Sequence, residues 1–315
     1  MKKIVLPKNL HKLGEGSFFD CILLKDVNLE TLNHLERISD YYNKSDVRVI
    51  HYYDSENEDP YDRYVNGVDY FALDHDEGQF DGYLKRYGTF AGTGITSFRM
   101  PSNLQYIAPE TFRNCEQLKT FYIGKAFRGK INYGEEGDPD TLFLYYAPIR
   151  LIQIDKENTS YQLQNEILYT RDGHILCQAL KNDNADSQLT IPSCVTEIAD
   201  GAFYRNSEFG AIEVKGSLER IGISAFACAD VGSFYVKGGV NYLDRGSFYQ
   251  SAISEWRCHG GVKKYEKSAF QDVDATNGYA IDMNAITKLY QELLYVNATT
   301  DLSYWVKTIW NWIIM

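Results

Sequence analysis

The sequence predicts a repeat protein of the α/β class, a solenoid in which short strands alternate with tight turns. Three observations predict it. Phenylalanine recurs at Phe90 and Phe112, then at Phe203, Phe226, Phe248 and Phe270, with gaps of 22, 23, 22 and 22 residues inside those runs. Apolar residues recur at fixed offsets around each of them. Each unit is also too small to bury its own apolar face. A period between about 20 and 50 residues is the mark of a solenoid, in which stacked neighbours create one continuous core.

The unit can be read position by position. From Phe112, apolar residues fall at minus eight (Leu104), minus five (Ile107), plus six (Leu118), plus nine (Phe121) and plus eleven (Ile123). Around Phe203 the same offsets hold Val195, Ile198, Phe209, Ile212 and Val214. Around Phe18 they hold Leu10, Leu13, Leu24, Val27 and Leu29. Phe143 sits in the same local pattern, and Pro7, Pro101 and Pro192 all stand at minus eleven. A short form has lost one residue after the phenylalanine. It places Val231, Phe234 and Val236 after Phe226, and Ile253, Trp256 and Cys258 after Phe248. Ile95, Phe98 and Met100 follow Phe90 in the same way. The last two apolar positions alternate, as the inward side chains of a strand do. The earlier positions, three apart, suit a tight helical or turn segment.

The runs IPSCVTEIADGAF and SLERIGISAF resemble the BspA-type leucine-rich-repeat family. Residues 152–203 strengthen the resemblance, because Asp155, Asn158, Tyr161, Leu168, Tyr169, Asp172, Gly173 and Leu176 match a hairpin that the family often inserts. Asp172-Gly173 is a hairpin-turn dipeptide in its own right. The resemblance covers about residues 4–30 and 83–273. It implies a right-handed leucine-rich-repeat solenoid with its short strands stacked into one sheet.

Residues 1–280 are expected to form that solenoid. An irregular insertion of one or two degenerate repeats is expected at about 31–82, and a hairpin insertion at about 155–188. Leu32, Leu35 and Ile38 have helical spacing, and Val47 and Val49 suggest a strand. The acidic, tyrosine-rich stretch 54–81 reads as a solvated loop, since its acids lack the order of a calcium loop. Residues 281–315 are expected to form a helical cap or tail. Ile286, Leu289 and Leu293 share one helical side, and Leu302, Trp305, Val306, Ile309, Trp310 and Ile313 another. An open solenoid end exposes core and needs such a cap.

Composition excludes several classes. The net charge of −11 and the pI near 5.1 disfavour nucleic-acid or anionic-membrane partners. No apolar run reaches the ~18 residues that span a bilayer. MKKIVLPKNL has no apolar core of a signal peptide, so the sequence reads as cytoplasmic, whereas the resemblance implies a cell-surface or secreted protein. The six cysteines lack scaffold or zinc spacing. Cys21, Cys115 and Cys258 fall in slots for small buried side chains.

No catalytic motif emerges. The histidines His11, His34, His51, His75, His174 and His259 have no metal spacing, and no GxSxG or phosphate loop occurs. The expectation is a non-enzyme without cofactor or metal. The outward face of the main strand is more informative. If its flanking positions point inward, Asn28, Arg99, Tyr122, Gln153, Glu213, Tyr235 and Arg257 form an exposed stripe, flanked by Thr120, Lys215, Lys237, Glu255 and His259. Tyrosine and arginine often anchor interfaces, although they are also ordinary cross-strand neighbours. The expected function is non-catalytic recognition of a protein ligand through that stripe, Arg99, Tyr122, Gln153, Glu213, Tyr235 and Arg257 being the binding residues. The resemblance implies adhesion to a host or extracellular protein. The alternatives are an intracellular scaffold that docks a partner through the carboxy-terminal tail, and an enzyme of unknown type.

Overall fold

The computed structural model describes residues 2–14, 16–40, 64–65, 68–70, 84–86, 88–134, 141–180, 187–206, 209–266 and 268–270. They fall into two compact units, Met1–Glu166 and Ile167–Met315. Both follow the leucine-rich-repeat plan, a β-solenoid of stacked turns.

In the second unit each turn contributes two strands rather than one. The longer strands, Ser187–Ile191, Phe209–Val214, Asp230–Val236 and Ala252–Cys258, form one parallel ladder. The shorter ones, Ile175–Ala179, Glu197–Ile198, Leu218–Ile221, Val240–Leu243 and Val262–Tyr265, form another. The expectation of a single sheet is therefore corrected. The apolar positions three apart lie in strands, not in helical turns. Leu218 and Ile221 are both fully buried at the ends of one four-residue strand, and Glu219 and Arg220 between them face outward. A spacing of three is therefore satisfied by a strand here.

The phenylalanines form the spine of this unit. Phe203, Phe226, Phe248 and Phe270 stack with centroids 4.6, 5.0 and 5.1 Å apart and planes within 9° of parallel. That spacing is close to the ~4.8 Å between paired strands. The backbone imposes it: the N–H groups of Phe203, Phe226 and Phe248 donate to the carbonyls of Ala225, Ser247 and Ala269, each at 2.7 Å. Full burial of such a ring contributes about 1.5–3 kcal/mol. The extra residue of the long form is absorbed between Phe203 and the following strand. Phe209, Val231 and Ile253 are therefore in register although their offsets from the anchors differ.

In the first unit the ladder Ser97–Arg99, Thr120–Ile123 and Leu151–Ile154 matches the longer strands. Lys12–Gly14, Arg37–Asp40 and Tyr106–Ile107 match the shorter ones. The rings of Phe18, Phe90 and Phe112 stack at 5.4 and 6.2 Å. The Phe18 N–H bonds the Thr89 carbonyl at 2.9 Å, so these two anchors occupy successive turns. One turn thus begins with buried Leu35 and Ile38 and resumes at Gly88, and the insertion lies inside it. Leu29–Thr31 is a short 3-10 helix, and the Leu32–Leu35 segment is turn. Three short strands, Tyr64–Val65, Val68–Tyr70 and Leu84–Arg86, pair antiparallel within the insertion. Val47, Val49 and most of the acidic stretch 54–81 lie outside the described residues.

The turns explain the rest of the repeat. The residue two after six of the anchors is left-handed: Asp20, Gly92, Asn114, Arg205, Cys228 and Gln250 have φ between 49° and 69°. This conformation aims its N–H at the next turn, as with Cys228 donating to the Tyr249 carbonyl at 2.8 Å. The slot at plus three holds buried Thr93, Cys115, Asn206, Ala229 and Ser251, but Cys21 is exposed. All six cysteines are free. The hairpin Ile167–Thr170 with Ile175–Ala179 closes as expected at Asp172-Gly173, where Gly173 has φ 77°. Asn158 bonds the carbonyls of Gly124 and Phe127 at 2.8 and 3.1 Å, which gives that matched residue a structural role. The described residues contain no α-helix, and the expected carboxy-terminal cap lies outside them.

Candidate recognition surface

The alternation of the longer strands decides which side chains face out. In the first unit Phe98, Phe121 and Ile152 point into the core, each no more than 1% exposed. Arg99, Tyr122 and Gln153 are their outward neighbours and lie in direct register. The Arg99 guanidinium sits over the Tyr122 ring, 3.6 Å from its centroid. The Tyr122 hydroxyl donates to Asp155 Oδ2 at 2.8 Å. Partial burial and that bond raise the tyrosine's pKa, while the Glu157 N–H and the Tyr122 hydroxyl hold the Asp155 carboxyl low. Leu151, which is 46% exposed, stands beside them in the row of Ser97 and Thr120.

The second unit repeats the arrangement with other chemistry. Thr190, Glu213, Tyr235 and Arg257 form its outward row. Glu213 accepts from Lys215 and bonds Lys237 at 3.2 Å, and both lysines lower its pKa. Tyr235 meets His259 edge-on, with centroids 5.4 Å apart. Arg257 pairs with Glu255. Each face is thus a pre-organised set of rings, cations and hydrogen-bonding groups on rigid strands. Asn28 does not join such a row. Its side chain bonds both the N–H and the carbonyl of Leu6, and so ties the first rung together.

Sequence reasoning missed the outward row of the shorter strands. It is the position six before each phenylalanine: Glu197, Arg220, Tyr242 and Lys264, which stand in register. Arg220 gathers three carboxylates: Glu197 at 2.8 Å, Asp200 at 2.5 Å and Asp244 at 2.9 Å. Asp200 is fully buried, and its Oδ2 has no hydrogen-bond partner. Burial pushes its pKa up to about 6 despite the arginine. Tyr242 donates to Glu266 at 2.7 Å, and burial followed by that bond pushes its pKa up to about 12. The signal lies in the offset itself, whose spacing of three suits a helical or turn segment as well. Among the described residues no group of three His, Cys, Asp or Glu side chains is placed to hold a metal ion. No helix among them is long and apolar enough to cross a membrane.

Comparison with known proteins bears on the fold and the family. The model described as "BspA type Leucine rich repeat region" matches six copies, over residues 1–50, 86–133 and 173–277. No curated protein matches the chain. Among solved structures, the pneumococcal vaccine antigen PcpA aligns over 85% of this chain and 69% of its own, at 14% identity and a TM-score of 0.51. A leucine-rich repeat protein from Eubacterium ventriosum aligns over 88% of this chain and 84% of its own, at 15% identity and a TM-score of 0.42. A leucine rich cell surface protein from Faecalibacterium prausnitzii aligns over 87% of this chain and 77% of its own, at 13% identity and a TM-score of 0.39.

Proposed function

We propose that this chain, which belongs to the BspA-type leucine-rich-repeat family, is a non-catalytic recognition protein that binds an extracellular protein through the outward rows of its longer strands. The observation that carries the reading is the stacked Arg99–Tyr122 pair with Tyr122 tied to Asp155. Held in this way, the ring and guanidinium lose little side-chain entropy on contact with a partner, which favours binding. Tyrosine and arginine are also the side chains that most often dominate interface energetics. Leu151 adds exposed apolar area beside them. The second unit offers Tyr235, Arg257 and Glu213 in the same register position. The likeness to a vaccine antigen shows a shared fold, and it supports the extracellular address as a proposal.

The test is retention on an array of immobilised extracellular proteins. Wild type is expected to be retained by at least one of them. Tyr122→Ala combined with Tyr235→Ala should lose that retention by about tenfold or more while the thermal transition barely moves. Equal retention by the double variant, or loss accompanied by a collapsed transition, would sink the reading.

A further inference from the structure

Arg99 is exposed, and the fold orients it without pairing it with a carboxylate among the described residues. Its guanidinium carbon lies over the Tyr122 ring, 3.6 Å from the centroid. A guanidinium held over a ring keeps its N–H donors at the rim of its plane. The platform is itself fixed, because the Tyr122 hydroxyl donates to Asp155 Oδ2 at 2.8 Å. The carboxylates at that end of the face are occupied. Asp155 Oδ1 accepts from the Glu157 N–H at 2.9 Å, and Glu157 meets Lys125 at 3.9 Å. The longer strands of the second unit differ. There Lys215 and Lys237 share Glu213, and Arg257 pairs with Glu255. In the first unit the neighbouring row, Ser97, Thr120 and Leu151, is uncharged, and Leu151 is 46% exposed.

We propose that Arg99 and Leu151 recognise an acidic and an apolar residue, two places apart in an extended segment of the protein ligand. Arg99 is then the specificity-determining cation of this face, a role that rests on the protein-binding reading and names the chemistry of its partner. A carboxylate matches the guanidinium fork through paired N–H donors. The spacing fits as well. The guanidinium lies over the Tyr122 rung, so Leu151 stands one rung and two residues away, about 8 Å at ~4.8 Å per rung and ~3.3 Å per residue. Residues i and i+2 of an extended chain point to one side about 6.6 Å apart, and a glutamate side chain spans the remainder. A ligand carboxylate reaches Arg99 without breaking an internal ion pair. At Arg257, Lys215 or Lys237 it would first have to displace Glu255 or Glu213.

Frontal chromatography of the full chain at low salt tests this, because it reads affinities as weak as millimolar. The columns carry acetylated, amidated peptides of one Gly-Ser background that differ only at a central Glu-Ser-Leu, Gln-Ser-Leu, Lys-Ser-Leu or Glu-Ser-Ser. Glu-Ser-Leu is expected to bind wild type about fivefold or more tighter than Gln-Ser-Leu or Glu-Ser-Ser, and less so as salt rises. Lys-Ser-Leu should be the weakest. Arg99→Gln should erase the preference for Glu over Gln, and Arg99→Lys should restore part of it. Leu151→Ser should erase the preference for Leu over Ser, and Lys215→Gln with Lys237→Gln should change neither. All are compared on chains with an unshifted thermal transition, which the exposure of Arg99 and Leu151 favours. Equal binding of the Glu and Gln peptides, binding of none, or a preference that survives Arg99→Gln would overturn the proposal. If an extracellular protein still retains the chain through Tyr122 and Tyr235, the protein-binding reading stands without it. A Glu-Ser-Leu preference that depends on Arg99, with no protein of the array retained, would support Arg99 in this role and sink the wider reading alone.

Discussion

Asp200 shows how one side chain can carry a pH dependence. Its folded pKa, about 6, lies above the ordinary 3.8, so the folded state holds the proton more tightly than the unfolded chain. Stability from this group is therefore fully present below about pH 4 and is lost as pH rises through 6. The shift corresponds to about 3 kcal/mol. Asp200→Asn keeps an acceptor for the Ile223 N–H, which bonds Oδ1 at 2.8 Å, and leaves Arg220 paired with Glu197 and Asp244. Urea titrations at pH 4.5 and 7.5 should show that the variant loses the slope and is at least as stable as wild type at the higher pH. Arg220→Met should do the reverse. It strands three carboxylates around an empty centre and should cost about 3–5 kcal/mol at neutral pH. The backbone carries a second residue-scale test. Gln250 is exposed and left-handed at φ 49°, a conformation that costs an L-residue roughly 1–2 kcal/mol. Gln250→Gly should raise the melting temperature. Gly92→Ala should lower it, because φ is +69° there and a Cβ would stand 2.6 Å from Asp20 Oδ1.

The stacked turn is the unit of stability. Phe226 is fully buried between Phe203 and Phe248 and touches Phe234 edge-on at 5.0 Å. Phe226→Ala should cost about 3–5 kcal/mol in chemical denaturation. Much of this element was legible in the sequence. The phenylalanine anchors, the Asp172-Gly173 turn and the inward strand positions after Phe90, Phe112, Phe203, Phe226 and Phe248 emerge where spacing placed them, whereas after Phe18 Leu29 stands in a 3-10 helix. So do the rows of Arg99, Tyr122 and Gln153 and of Glu213, Tyr235 and Arg257, because strand alternation and a constant register together determine which side chains face out. The shorter strands were misread for a physical reason. Leu218 and Ile221 are both buried at the two ends of one short strand, and a spacing of three ordinarily indicates a helical or turn segment. Their outward row, with Arg220, was hidden by that misreading. The Phe18–Phe90 neighbour relation was hidden too, since an insertion inside one turn interrupts the clock without interrupting the stack.

Across the whole chain, two units share one construction plan but present different surfaces. In a repeat array, energy is dominated by contacts between neighbouring turns. Lesions in different units should therefore add within about 0.5 kcal/mol, and Phe112→Ala combined with Phe226→Ala checks this by urea denaturation. An additive result fits two cores, and a large coupling would tie them into one. In the proposed reading, recognition is distributed in the same way, over the outward row of each unit. Hydroxyl-radical footprinting of the chain with a protein ligand captured from the array tests that claim most directly, because it reads side chains one by one. The account predicts that the ligand protects Tyr122, Tyr235 and His259 from oxidation and leaves Tyr242, on the shorter-strand ladder, unchanged. Protection of Tyr242 with Tyr122 and Tyr235 still fully reactive would contradict it.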